Sequence, residues 1–303
     1  MRHAFSYATA LASSEKIRWR VEDVIGGEKR LDFSMPFLPE SLARVEPLAF
    51  LSPAEQTALN QIRAHEYLSM FGIVEEFILP FVLDHVRPHL SGDDARVRAL
   101  LQFAGKEAKH IDLFKRFRAE FERGFGTPCA VIGPADAIGR EVLAHDPLAV
   151  ALAILQIEWM TQRHFEESVR DDRGLDPQFA SLLRHHWSEE AQHAKLDTLM
   201  VEALAEGRSK DRLLSAVEEY LAIGAFVDQG LATQLELNLA SLEAATRRTL
   251  TPAERESYRT HQRRAARWTY LGSGMTHPRF VETLEALDPR VAKRVADVAP
   301  AFC

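Results

Sequence analysis

The sequence predicts an all-α protein: a four-helix bundle with additional C-terminal helices. Three observations carry this. Apolar residues recur every three to four positions, and no alternating stretch is long enough for a sheet. Two helix starts are written out in full, Ser52-Pro53-Ala54-Glu55 and Thr251-Pro252-Ala253-Glu254. Each combines a hydroxyl N-cap, proline at the first helical position and glutamate two residues later. The periodic stretches are long, and the links between them are short and rich in Gly, Pro and Asp.

Taken in order, residues 1–51 are mixed, with Gly26-Gly27, Pro36, Pro39 and Pro47. They read as a short helix near 15–25 and then an irregular N-terminal arm. Phe33, Met35, Phe37 and Leu38 predict that this arm packs on the bundle. The first long helix runs from Ser52 towards Val86, with a kink or break expected at Pro80, which removes an internal hydrogen bond. A second spans about 93–124 and ends at Gly124-Phe125-Gly126. A short helix is expected at 134–143. The third long helix follows Asp146-Pro147, about 147–170, and the fourth occupies about 176–206. Beyond 209 come extra helices: about 209–246, one from Thr251 to Gly272-Ser273-Gly274, and one over 279–297. The domain reading is an arm, 1–51, and one helical domain, 52–303. That domain has its core bundle at 52–206 and extra helices at 209–297.

Composition bounds the function. The 303 residues are 46% hydrophobic, enough for a large core. The net charge of −7 gives no reason to expect nucleic acid or an anionic membrane as partner. Two distant cysteines, Cys129 and Cys303, make no disulfide framework and fit a reducing cytoplasm. The N-terminus lacks the continuous apolar stretch of a signal peptide. The longest apolar run, near 78–83, is too short to span a bilayer.

The chemistry gathers in the fourth helix. His186, Glu190 and His193 lie at i, i+4 and i+7, so they project from one face within two turns. Two imidazoles and a carboxylate on one stripe are ligands for a transition metal. In the second helix, Glu107 and His110 repeat the Glu-x-x-His half of this pattern. Roughly one such match is expected by chance among 12 histidines, so the second one, on an amphipathic helix, decides. The third helix places Glu158 on its apolar stripe beside Ile154, Thr161 and Phe165. The first should add one carboxylate, Glu75 or Glu76. Glu75 is flanked at helical spacing by Leu68, Phe71, Ile78 and Val82, and precedes Glu107 by 32 residues, the interval between Glu158 and Glu190. Glu76 sits nearer His65 and Ser69. Spacing favours Glu75 slightly and leaves both open. No Lys or Arg shares these stripes, so several buried carboxylates need positive charge from elsewhere, and a pair of metal ions supplies it. Oxygen and nitrogen donors without cysteine suit iron, or manganese, better than zinc. Glu189, at the border of the stripe, reads equally as a surface residue or as an acceptor for a histidine N–H. His65, His85, His89, His164 and His185 read as surface or packing residues.

The order Glu, Glu-x-x-His, Glu, Glu-x-x-His on four successive helices is that of the ferritin-like carboxylate-bridged dimetal proteins. Within them, the chain resembles the arylamine, p-aminobenzoate-type, N-oxygenases. The mark is His186, a third histidine four residues before the Glu of the second motif. This resemblance covers about 52–206. It implies seven ligands: Glu75 or Glu76, Glu107, His110, Glu158, His186, Glu190 and His193. It also implies two iron ions, O2 as co-substrate and a homodimer formed through the helices beyond 209. Radical-generating reductase subunits are similar, but their radical tyrosine falls at Phe114 here. Acyl-carrier desaturases lack a counterpart of His186.

The function expected is therefore a diiron oxygenase or oxidase acting on a small organic substrate, with N-oxygenation of an amine as the specific expectation. The alternatives are another diiron redox enzyme, a hydroxylase or desaturase-like protein, or a non-enzymatic metal-binding bundle. Electrons must come from an external donor, a reductant or a redox partner protein, because no flavin or dinucleotide fingerprint occurs. A substrate pocket is expected near Phe71, Phe103, Phe114, Ile154 and Thr161.

Overall fold

The computed structural model describes residues 3–303. Met1 and Arg2, the first residues of the expected arm and N-terminus, lie outside the described residues. Three short helices come first: α1 (Tyr7–Ser14), α2 (Val21–Val24) and α3 (Glu40–Ala43). Four long ones follow, α4 (Pro53–Val86), α5 (Asp94–Phe125), α7 (Pro147–His164) and α8 (Pro177–Ala205), with the short α6 (Ala135–Leu143) between the pairs. The chain ends with α9 (Lys210–Thr246), α10 (Pro252–Arg267), α11 (Ser273–Met275), α12 (Pro278–Leu287) and α13 (Pro289–Val298). Among the described residues there is no strand, and no helix is long and apolar enough to cross a membrane.

α4 pairs with α5 and α7 with α8, and α5 meets α8 to close the bundle. The extra helix α9 packs on α4 and α7. Both capping boxes form: Ser52 with Glu55 and Thr251 with Glu254. Pro80 does not break α4. It lies on the exposed side, where water can reach the carbonyl its missing N–H leaves unpaired.

Three readings need correction. The short helix expected near 15–25 is confined to α2 (Val21–Val24), and an additional one, α1, forms before it, where Ser6 and Thr9 make a capping box. The Gly272-Ser273-Gly274 segment does not stop a helix. A π turn, Trp268–Gly272, leads directly into α11. The two glycines are there for close approach: a Cβ on Gly272 would strike the Phe302 carbonyl, and one on Gly274 the Gln156 carbonyl. The last helix is two, because Asp288-Pro289 caps a new start.

The arm is held by built contacts. Asn60 of α4 accepts from the backbone N–H groups of Phe37 and Leu38, at 2.7 and 3.0 Å, and donates to the Leu38 carbonyl at 2.7 Å. Phe37 stacks on Phe179 of α8, with centroids 5.3 Å apart.

Candidate metal centre

Glu75, Glu107, His110, Glu158, His186, Glu190 and His193 are all turned into the bundle, none more than 3% exposed. They come from α4, α5, α7 and α8, and each is where helical phase put it. Glu76 is not with them. It is 41% exposed and faces Lys115 at 3.5 Å, so Glu75 is the α4 carboxylate that reaches the interior.

Glu190 is the centre of the group. One of its oxygens lies 2.8 Å from His186 Nε2 and 3.0 Å from His110 Nδ1, and the other 2.9 Å from His193 Nδ1. Glu107 reaches His193 Nδ1 at 2.7 Å, and Glu75 reaches His186 Nε2 at 3.2 Å. Two donor sets emerge: Glu75, His110, His186 and Glu190, and Glu107, His110, Glu190 and His193. Within each set, one potential ligand atom per residue lies within 4.8 Å of all the others. The two sets share His110 and Glu190.

Electrostatics show a group short of positive charge. Burial, then the neighbouring Glu190 carboxylate, pushes Glu158 well above the usual carboxylate range. Burial opposes charge on His193, but Glu190 and Glu107 outweigh it and raise the imidazole to about 9. Burial likewise opposes charge on His110, and Glu190 foremost holds it well above its ordinary value. Even so, a buried oxygen on each of Glu75, Glu107 and Glu158 finds no hydrogen-bond partner, and the Glu190 oxygen close to His186 and His110 lacks hydrogen-bond geometry with either. Such orphans in a packed core carry a penalty that a bound ion removes. Two divalent ions would carry four positive charges against the four carboxylates, so the donors fit a dinuclear centre.

A second layer lies behind His110. Glu189, with no solvent exposure, accepts from His110 Nε2 at 3.0 Å. Lys106 and Lys109 pair with it at 3.1 and 2.7 Å, and Lys109 also donates a hydrogen bond to it at 2.8 Å. Burial opposes its ionisation, but the bonds from His110 and the lysines hold its pKa below the usual range. An ionised carboxylate only accepts, so His110 carries its proton on Nε2 and turns Nδ1 to the cluster. Of the two readings of Glu189, acceptor rather than surface residue is what the structure shows. Lys106 and Lys109, which the stripes placed elsewhere, curl round to reach it. The arm holds them there: Lys106 donates to the Ser14 carbonyl at 3.2 Å, and Lys109 lies 3.5 Å above the Trp19 ring.

Asp197, fully buried one turn beyond His193, was also missed. Neither of its oxygens has a hydrogen-bond partner, and burial raises its pKa well above the ordinary value. The signal was present as His-x-x-x-Asp on one face. His65, His85, His89, His164 and His185 stay outside the donor sets. His164 hydrogen-bonds Tyr67 and Ser273, and His65 stacks on Phe121.

A cavity of about 410 Å³ lies beside the centre, walled by α4, α6, α7 and α9 and by the π turn before α11. Of the five residues expected to line a pocket, only Phe71 does. Phe103 packs on His193, with centroids 4.2 Å apart, and Phe114 on His186 at 5.0 Å. Ile154 and Thr161 are buried in α7 on another face from the cavity.

A sequence profile of the p-aminobenzoate N-oxygenase AurF family matches residues 9–270. The chain belongs to that family. The resemblance drawn from His186 and the two Glu-x-x-His motifs is therefore correct. The protein is an oxidoreductase, a diiron-type oxygenase on an all-α scaffold. The purely structural metal-binding alternative falls away. Similar solved structures include R2-like ligand-binding oxidases, tyrosine-to-phenylalanine mutants with a Mn/Fe cofactor. One is 13% identical, with 88% of this chain and 94% of that chain covered and a TM-score of 0.46. Another is 12% identical, with 89% and 94% covered and a TM-score of 0.44. Comparison with curated proteins gives no match.

Proposed function

We propose that the chain inserts oxygen from O2 into the nitrogen of a small organic amine, using a dinuclear centre held by Glu75, Glu107, His110, Glu158, His186, Glu190 and His193. The observation that carries this is the convergence of all seven side chains from four helices, with unpaired carboxylate oxygens among them. Bound iron, or manganese, supplies the redox chemistry that reduces O2 and oxidises the substrate. Glu190, whose two oxygens face different histidines, would be a ligand common to both donor sets. Glu189 fixes the ring of His110 and keeps its proton away from the centre. Phe71, Phe103 and Phe114 pack against the imidazoles and keep water from them.

An external reductant or redox partner protein, and a homodimer through the helices beyond 209, belong to the same proposal and rest on the family. A reducing cytoplasm is supported by the two free cysteines, Cys129 and Cys303.

The test is the metal content of the purified chain, with Glu107→Ala and His186→Ala alongside. Two iron or manganese ions per chain are expected, falling in Glu107→Ala. Reduced, iron-loaded protein given O2 and an arylamine should yield N-oxygenated product by mass spectrometry, with the yield falling in His186→Ala. No metal after reconstitution would overturn the proposal, and oxygen found only on carbon would overturn its N-oxygenation part.

A further inference from the structure

We propose that the cavity beside the centre takes a neutral, largely apolar molecule and turns away substrates that carry a carboxylate. This rests on the oxygenase reading and names its substrate class. The family is described by p-aminobenzoate, which has a carboxylate opposite its amine. The cavity of this chain has nothing to receive one.

The lining carries the argument. No Lys, Arg, His, Asp or Glu is part of it. Its inner wall is carbon, from Met70, Phe71, Phe77, Ile157, Met160 and Ile223. The polar groups at depth are committed elsewhere or covered. Gln156 accepts from the Tyr220 hydroxyl and donates to the Tyr270 carbonyl at 3.2 Å. The Tyr270 hydroxyl has no hydrogen-bond partner, but it is buried, with almost no surface open to a ligand. Gln229 and Thr233 are also in the lining, but they are exposed on α9 and so mark the mouth. An anion pushed to the inner end would lose its water and meet neither cation nor accessible side-chain donor, which is unfavourable. An uncharged ring would lose only water. The volume of about 410 Å³ is that of a small-molecule site.

The position ties the cavity to the chemistry. No residue of α5 or α8 lines it, so it approaches from the side of α4 and α7, the helices that bring Glu75 and Glu158. Phe71 stands at its inner end, one turn before Glu75. Its ring lines the cavity and also lies edge-on to His186, with centroids 5.5 Å apart. Ile157 lines the cavity and immediately precedes Glu158. A ligand seated against Phe71 therefore has that ring between itself and the centre, and Phe71 must turn for the two to meet.

The test uses a matched pair, p-aminobenzoate and its methyl ester, with the same ring and amine and a different charge. Each is titrated by calorimetry into the full-length chain, metal-free and iron-loaded, with metal content read on the same samples. The ester is expected to bind at least tenfold more tightly than the acid. Val227→Phe, which narrows the cavity wall, should weaken ester binding at least tenfold and leave metal uptake unchanged. Val227→Lys, which adds a cation there, should shrink or reverse the preference for the ester. Equal or tighter binding of the acid by the unaltered chain would overturn the proposal, as would binding of neither compound. Because binding is also read on the metal-free chain, loss of metal uptake alone would count against the oxygenase reading and not against this one.

Discussion

Glu66 and Glu75 lie nine residues apart on α4, both at most 3% exposed, and the fold treats them in opposite ways. Glu66 has a buried cation of its own. Arg63 donates to its two oxygens at 2.6 and 2.5 Å, and Asn238 of α9 donates to one of them. Glu75 has only imidazoles, His186 at 3.2 Å and His110 at 3.7 Å, and one of its oxygens has no hydrogen-bond partner. The cost of burying Glu66 is met inside the chain, and that of burying Glu75 is left to something bound. A charged group that a well-packed core leaves unmet marks where a ligand belongs.

The largest effect should come from the centre. Glu190→Ala removes the one carboxylate shared by both donor sets, so both ions and all oxygenase activity should be lost. The metal-linked part of stability goes with them, roughly 4 kcal/mol per ion when free metal is a thousandfold above Kd. Metal analysis and thermal melts with and without iron read this directly. A Glu190→Ala protein that keeps two ions would break the comparison. Next in size is Arg63→Ala, which strands Glu66. It should cost roughly 3–5 kcal/mol of stability, while the folded fraction still binds two ions. Arg63→Met with Glu66→Leu should recover most of that loss, because nothing charged is then left buried. If Arg63→Ala instead emptied the metal centre of folded protein, the two regions would not be independent.

What the sequence made legible follows from what helical phase can and cannot say. Phase puts Glu107, His110, Glu158, His186, Glu190 and His193 on buried faces, and all six are there. It barely separates Glu75 from Glu76 because adjacent positions on a helix differ by only about 100°, and a 34-residue helix has more than one buried side. It fails for Lys106 and Lys109, since a stripe drawn at Cβ does not follow a four-carbon stem that bends round to a buried acceptor. The cavity was misplaced for a different reason. Its walls include α6, α9 and the π turn, and how those elements cross α4 and α7 is tertiary information. Gly272 and Gly274 looked like a stop because the close approach of Phe302 and Gln156 is invisible in a local window.

The second layer offers a finer test of the same contrast. Glu189 resembles Glu66 in having its own cations, Lys106 and Lys109, yet it also accepts from a residue of the centre, His110. Glu189→Gln should therefore keep two ions per chain but bind them roughly 10–100-fold more weakly, because the His110 ring loses its ionised acceptor. A chelator competition would measure this. Unchanged affinity would make Glu189 a structural carboxylate of the Glu66 kind.

The smallest effect separates two neighbours on one helix. Glu76→Gln removes an exposed carboxylate whose partner, Lys115, is itself 63% exposed. An exposed pair of this kind contributes about 0–1 kcal/mol, so stability should move little and metal affinity not at all. Glu75→Gln, one residue earlier, keeps the side chain's shape but removes the buried charge of a proposed ligand, and metal affinity should fall sharply. The pair of variants controls for helix propensity, since both make the same substitution in the same helix. If Glu76→Gln lowered metal affinity as much as Glu75→Gln, the carboxylate that α4 turns to the interior would not be the one that holds the metal. The contrast with Glu66 would then have to be drawn one residue further along.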